Sequence, residues 1–258
     1  MQVVDCAYSV EGSGPALFLI HGIGAARDTW RFALPELVKH FTVISYDLRG
    51  HGESPMPGKE FALTELIADL EQVRKRTGFK KAHFAGHSLG GMIAPAYARM
   101  YPQHVLSLGL LSTVAFRNAE DSQKVLAVVS AMEKKGVARV LETLIGRWYT
   151  DDFIKQHPDI VERRMQQVIS TDEKVFLNVF KIYATTEMSP WLHEVSAPSL
   201  VLTGENDGGC SPRLNRLIAD ALPDSCLVVL PEYKHSLLLE CGDEVARQLV
   251  GFITDLTL

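Results

Sequence analysis

Apolar residues along the chain fall into short runs bounded by turn-forming residues. Ala16–Ile20, Thr42–Tyr46, Ala82–Ala85, Val105–Leu111, Ser199–Leu202 and Cys226–Leu230 are continuous enough to predict strands buried on both faces. Between most of them the period changes to that of a helix. In Leu63–Thr77, for example, Leu63, Leu66, Ile67, Leu70 and Val73 share one stripe. Strands alternating with helices predict an α/β chain with a mainly parallel, doubly wound sheet. Right-handed crossovers then bring the strand C-terminal ends to one edge, where such sheets bind ligands.

The alternation stops between about Ala115 and Trp191. Helical patterns follow one another there without a strand: Gln123–Lys134, Val137–Trp148, Asp151–His157, Asp159–Ser170 and Glu173–Thr185. This predicts a core of residues 1–114 and 192–258, with residues 115–191 inserted as a helical cap over one sheet edge. A few extra packing helices would give the same periodicity. No internal repeat, low-complexity tract or Pro/Gly/Ser-rich linker marks a separately folded second domain.

Composition narrows the function classes. The 258 residues are 47% hydrophobic and 22% charged, as in an ordinary packed globule, and carry a net charge of −5. That balance argues against a nucleic-acid surface. No apolar run is long enough to cross a membrane, and residues 1–10 lack the basic-then-apolar pattern of a signal peptide. Cys6, Cys210, Cys226 and Cys241 are scattered and read as free thiols in a reducing cytoplasm. The expected partner is a small-molecule substrate; a homo-oligomer is compatible with all of this.

The strongest chemical signal is Gly86-His87-Ser88-Leu89-Gly90, directly after a predicted strand and before a helix. A serine on so sharp a strand-to-helix turn is lifted clear of the backbone, and its neighbours must be small. The turn sets Ser88 at a helix N-terminus, where the Leu89 amide faces the oxygen under attack. A glycine-rich turn with an incidental serine is the plain alternative; the strand-before, helix-after context favours the nucleophile. Pro95, inside the following helix, removes a backbone donor and predicts a kink or local loosening.

A serine hydroxyl needs a base, and of nine histidines His235 is selected by position, in a short loop after the last predicted strand. An acid must then orient the imidazole. Asp207 stands just past the strand that begins at Ser199 and is preferred to its neighbour Glu205. The loop after Ala16–Ile20 reads His21-Gly22-Ile23-Gly24, whose glycines let the backbone expose an amide. Ile23 and Leu89 are therefore the expected oxyanion donors, and His21 is expected to be structural.

These motifs, with Asp47-Leu48-Arg49-Gly50-His51-Gly52-Glu53-Ser54, resemble the α/β-hydrolase family over essentially the whole chain. Within it, Gly146-Arg147-Trp148-Tyr149-Thr150 and Ser88-Leu89-Gly90-Gly91-Met92-Ile93-Ala94 are similar to 3-oxoadipate enol-lactonases. The resemblance implies a Ser88–His235–Asp207 triad acting by acyl transfer on an enol-lactone or small carboxylate-bearing ester from aromatic degradation. A carbon–carbon hydrolase of ring-fission diketones using the same triad is the alternative, and a non-catalytic ligand receptor on this fold is a third reading.

The rest of the chemistry is thinner. Arg49 and His51 are expected to fix loops rather than react. Arg147 and Arg27 are candidates for clamping a substrate carboxylate, although an arginine on a helix is more often solvated. Trp30 and Trp148 fit a pocket wall or the core equally. No dinucleotide or phosphate loop and no His-x-x-x-His pair is present, so neither cofactor nor metal is expected.

Overall fold

The computed structural model describes residues 3–256. Its seven strands, among the described residues, are β1 (Tyr8–Gly12), β2 (Ala16–Ile20), β3 (Thr42–Tyr46), β4 (Ala82–His87), β5 (Val105–Leu111), β6 (Ser199–Gly204) and β7 (Ser225–Leu230). They form one sheet in the order β1-β3-β2-β4-β5-β6-β7. All neighbours pair in parallel except β1, which runs antiparallel to β3. The predicted α/β sheet is therefore present, with one strand that the sequence pattern did not reveal. β1 sits at an edge with most of its residues exposed, so it has no continuous apolar run.

The alternation of side chains across the strands builds two cores. Phe18, Ile20, Ile44, Leu108 and Val201 point to one face, while Leu17, Leu19, Val43, Leu200 and Leu202 point to the other. The first face is covered by α2 (Leu63–Thr77), α3 (Gly90–Met100) and α10 (Pro212–Ala221) through Leu66, Leu70, Met92, Ile93 and Ile218. The second is covered by α1 (Leu34–Leu37), α11 (Leu237–Glu240) and α12 (Gly242–Asp255) through Leu37, Leu237, Val245 and Leu249. Each fully buried aliphatic side chain contributes about 1.5–3 kcal/mol.

Between β5 and β6 the chain forms α4 (Ala119–Lys135), α5 (Val137–Leu141), α6 (Ile145–Trp148), α7 (Asp151–Gln156), α8 (Pro158–Ser170) and α9 (Glu173–Thr185). A third apolar cluster joins all of these but α7, with Val129, Met132, Leu141, Met165, Val168 and Phe176 at its centre, while Phe153 and Ile154 of α7 pack against Tyr149, Val161 and Leu239. Two details depart from the periodicity. The helix α4 starts earlier than Gln123, because Asn118 caps it: its side chain accepts from the Asp121 amide at 2.8 Å, and Asp121 accepts in return from the Asn118 amide. The predicted helix over Val137–Trp148 is broken in two. There the Thr143 and Leu144 amides bond three residues back, to Val140 and Leu141, instead of four.

Pro95 does not end α3, which runs through it to Met100. Among the described residues no helix is long and apolar enough to cross a membrane. The four cysteines are free thiols, and only Cys226 is exposed.

Candidate active site

β4 ends in a turn with no spare room. A Cβ on Gly86 would lie 2.0 Å from the Gly90 carbonyl oxygen, one on Gly90 2.2 Å from the Ile20 oxygen, and one on Gly91 2.6 Å from Thr113 Cβ. Glycine is thus required at all three places for α3 to leave the sheet so abruptly. Ser88 takes up the strain, with φ of +56° in a residue that carries a Cβ. Two hydrogen bonds hold it there. Its amide donates to the Leu111 carbonyl at 2.9 Å, and its carbonyl accepts from Thr113 Oγ1 at 2.9 Å.

Asp207 lies in the loop after β6 and is 2% exposed. Its Oδ1 accepts from the amides of Gly209 and Cys210 at 3.0 and 2.8 Å, and its Oδ2 accepts from His235 Nδ1 at 2.8 Å. This fixes the tautomer of His235, leaving Nε2 as the basic nitrogen. Burial disfavours the charged imidazole, but the Asp207 carboxylate outweighs it and raises the His235 pKa well above its usual value. The carboxylate in turn is disfavoured by burial and held low by the His235 charge and hydrogen bond. Glu205, the rival acid, is exposed and accepts instead from the Glu232 amide.

The histidines His21 and His51 are scaffolding. His21 Nδ1 donates to the Gly22 carbonyl at 2.7 Å while Nε2 accepts from the Leu48 amide at 2.9 Å. His51 Nδ1 donates to the Arg49 carbonyl and Nε2 accepts from the Gly24 amide, at 3.0 and 3.2 Å. Burial lowers both pKa values, that of His51 to about 4, so both remain neutral acceptors. His87, inside the Ser88 motif, has its pKa lowered by burial to about 3 and donates from Nε2 to the His235 carbonyl at 2.9 Å. It ties the serine turn to the histidine loop. Its position beside Ser88 was the only sequence hint of that.

Ser88, Asp207, His235, Gly22 and Ile23 line one cavity of about 520 Å³, walled by the inserted helices. Among the described residues neither the Ile23 nor the Leu89 amide donates to a protein acceptor. Arg147 and Trp148 also line this cavity. Arg147 is exposed and, among the described residues, pairs with no carboxylate. The Trp148 carbonyl accepts from the Ser236 amide at 2.9 Å, joining α6 to the residue after His235.

Two expected residues lie elsewhere. Arg27 is outside the cavity lining, because Asp47 binds both its amide (2.7 Å) and its Nη1 (2.6 Å) and Glu53 takes Nη2. Trp30 is 1% exposed and packs in the second core with Leu37 and Phe41. Residues not singled out from the sequence supply much of the wall instead: Arg117, Arg164, Phe176, Phe180 and Tyr183. All come from the inserted stretch, where periodicity gives a helix but not what its stripe faces.

Asp207, Cys210 and His235 offer ligand atoms within 4.8 Å of one another. Asp207 already bonds two amides and His235 through these atoms, so the set is occupied as a hydrogen-bonded network.

Comparison with known proteins bears on the fold and the family. A 3-oxoadipate enol-lactonase from Acinetobacter baylyi is 25% identical over 231 residues, covering 89% of this chain and 86% of that protein. The crystal structure of an enol-lactonase from Burkholderia xenovorans superposes with a TM-score of 0.90 at 23% identity, over 97% of each chain. A thermophilic esterase from Thermogutta terrifontis, solved with malate bound, superposes at 0.88 with 26% identity, covering 98% of this chain and 94% of that one. The family profile for the alpha/beta hydrolase fold matches residues 15–240. With the sheet order, the strained serine turn and the profile in agreement, the chain belongs to the α/β-hydrolase family and is a hydrolase.

Proposed function

We propose that this hydrolase cleaves an ester or lactone of a small, carboxylate-bearing compound of the 3-oxoadipate enol-lactone kind, through Ser88, His235 and Asp207. The observation that carries this reading is the opening of two groups into one cavity: a serine on a strained turn, and an imidazole paired to a buried carboxylate. His235 Nε2 takes the hydroxyl proton as Ser88 Oγ adds to the carbonyl carbon. Charge collects on the carbonyl oxygen, where the Ile23 and Leu89 amides hold it. The bond to the leaving oxygen then breaks, and His235 returns the proton to that oxygen. Water, deprotonated by the same imidazole, adds to the acyl carbon, and Ser88 departs as its hydroxyl is reprotonated.

Two features support an anionic substrate. Arg117, Lys124, Arg147 and Arg164 line the cavity against Asp121 and Asp207. Of these acids, Asp121 is paired with Arg213 and Asp207 with His235. The relatives named enol-lactonases and an esterase support the ester or lactone bond. In this reading the protein serves the breakdown of aromatic compounds.

The test is a panel of enol-lactones, short and long p-nitrophenyl esters, and ring-fission diketones, run on the native protein and on Ser88→Ala. Turnover of enol-lactones or short acidic esters, lost in the variant, is expected. Preference for long-chain esters, or cleavage of a carbon–carbon bond, would contradict the substrate class.

A further inference from the structure

The helix α8 buries Val161, Met165 and Val168. Arg164 stands on the same stripe, three residues after Val161 and four before Val168, where an apolar side chain is the rule. Its Nη1 donates to the Gly24 carbonyl at 2.5 Å and its Nη2 to the Ile23 carbonyl at 3.0 Å. Among the described residues no carboxylate pairs with it. A planar fork bridging two successive carbonyls is a geometry that arginine supplies and lysine does not.

The peptide that follows the Ile23 amide is thereby held at both ends. Arg164 binds its carbonyl oxygen, Ile23 O, and His51 Nε2 binds its amide, Gly24 N, at 3.2 Å. The preceding peptide has its oxygen, Gly22 O, taken by His21 Nδ1 at 2.7 Å and by the Ala25 amide at 3.3 Å. Among the described residues, what the surrounding bonds leave free is the Ile23 N–H. Packing reinforces the clamp. A Cβ on Gly24, where φ is +58°, would lie 2.7 Å from Phe176 of α9 and 3.3 Å from Val168 of α8. Gln167 of α8 adds a bond from Nε2 to Asp28 Oδ1 at 2.8 Å.

We infer that Arg164 is a positioning residue for acyl transfer: from the inserted helix α8 it clamps the Ile23 and Gly24 carbonyls and so aims the Ile23 amide at the developing oxyanion. This rests on the proposed roles of Ser88 and Ile23. An amide aimed by this clamp contributes where charge develops and little to ground-state binding. Its loss therefore falls on kcat rather than on KM.

The experiment compares native protein, Arg164→Met, which keeps the apolar stem, and Arg164→Lys. On an uncharged p-nitrophenyl ester from the panel, which has no carboxylate for the lost charge to act on, Arg164→Met lowers kcat by about 10- to 100-fold with KM changed less than about threefold, the scale of a displaced oxyanion donor. An uncharged trifluoromethyl ketone, which forms a charged tetrahedral adduct with Ser88, binds more weakly by about the same factor, while affinity for the matching methyl ketone, which stays unreacted, is unchanged. Arg164→Lys, which reaches one carbonyl, falls between. Should Arg164→Met fail to fold, the lysine variant gives the same comparison at smaller amplitude. An unchanged kcat, or a loss confined to KM and shared by the methyl ketone, overturns the inference and leaves the serine mechanism standing. Native protein whose Ser88 fails to react with the ketone overturns both.

Discussion

Ser88 holds a backbone conformation that costs about 1–2 kcal/mol for a residue with a Cβ, and bonds to Leu111 and Thr113 keep it there. The imidazole opposite is biased in the other sense, since Asp207 raises its pKa above 6.5. A base must be unprotonated, so kcat/KM should rise with pH through this raised value, with its half-maximum above pH 6.5. Replacing Asp207 with Asn removes the negative charge that favours imidazolium. The acid limb should then move to lower pH while the maximum falls by about 10⁴-fold, as expected when the tautomer is lost. A pH–rate profile in which Asp207→Asn leaves the limb in place would show that this carboxylate does not set the base.

At this scale the sequence was legible where chain position speaks. The residues Ser88, Asp207 and His235 each follow a strand end, and that alone brings them to one edge. Arg27 misled because its loop position fits a ligand role while Asp47 and Glu53, distant in sequence, claim it. Arg164 was hidden by its neighbours Glu162 and Arg163, which make it look like part of a solvated face.

Among the elements, the β4–α3 turn is the one most tightly determined. Adding a methyl at Gly90 would drive it into the Ile20 backbone, so Gly90→Ala should separate α3 from β2 at a cost of about 1–3 kcal/mol. At ~2–4 °C per kcal/mol, thermal unfolding should show a fall of several degrees. Gly251 gives the opposite expectation. It lies inside α12 with nothing within 4 Å of an added Cβ, so Gly251→Ala should gain about 0.5–1 kcal/mol. Equal melting shifts for the two variants would mean that the turn is not crowded. The strand and helix pattern was readable because five strands are mostly buried runs, while β7, expected to be buried on both faces, is a half-buried edge strand that still keeps a continuous apolar run. The edge strand β1 and the break between α5 and α6 were not, since each depends on hydrogen bonds that periodicity does not encode.

The whole molecule carries a net charge of −5, yet the basic residues of the cavity wall outnumber the acidic ones, and both acids there are paired. Composition could show the first of these facts but not the second, because the wall is assembled from separate inserted helices. If the substrate is an anion, Arg147, which among the described residues pairs with no carboxylate, should attract it. Arg147→Ala should raise KM for a carboxylate-bearing ester by about 3- to 10-fold and leave a neutral ester nearly unchanged, a difference that shrinks in high salt. Steady-state kinetics on the two esters, each at low and high ionic strength, checks this.

The claim on which the rest depends is that Ser88 is the nucleophile. Reaction with a fluorophosphonate, followed by intact-mass and peptide analysis, should find one adduct, on the peptide containing Ser88, formed in step with loss of activity. An adduct on another residue, or full activity retained in Ser88→Ala, would contradict the account.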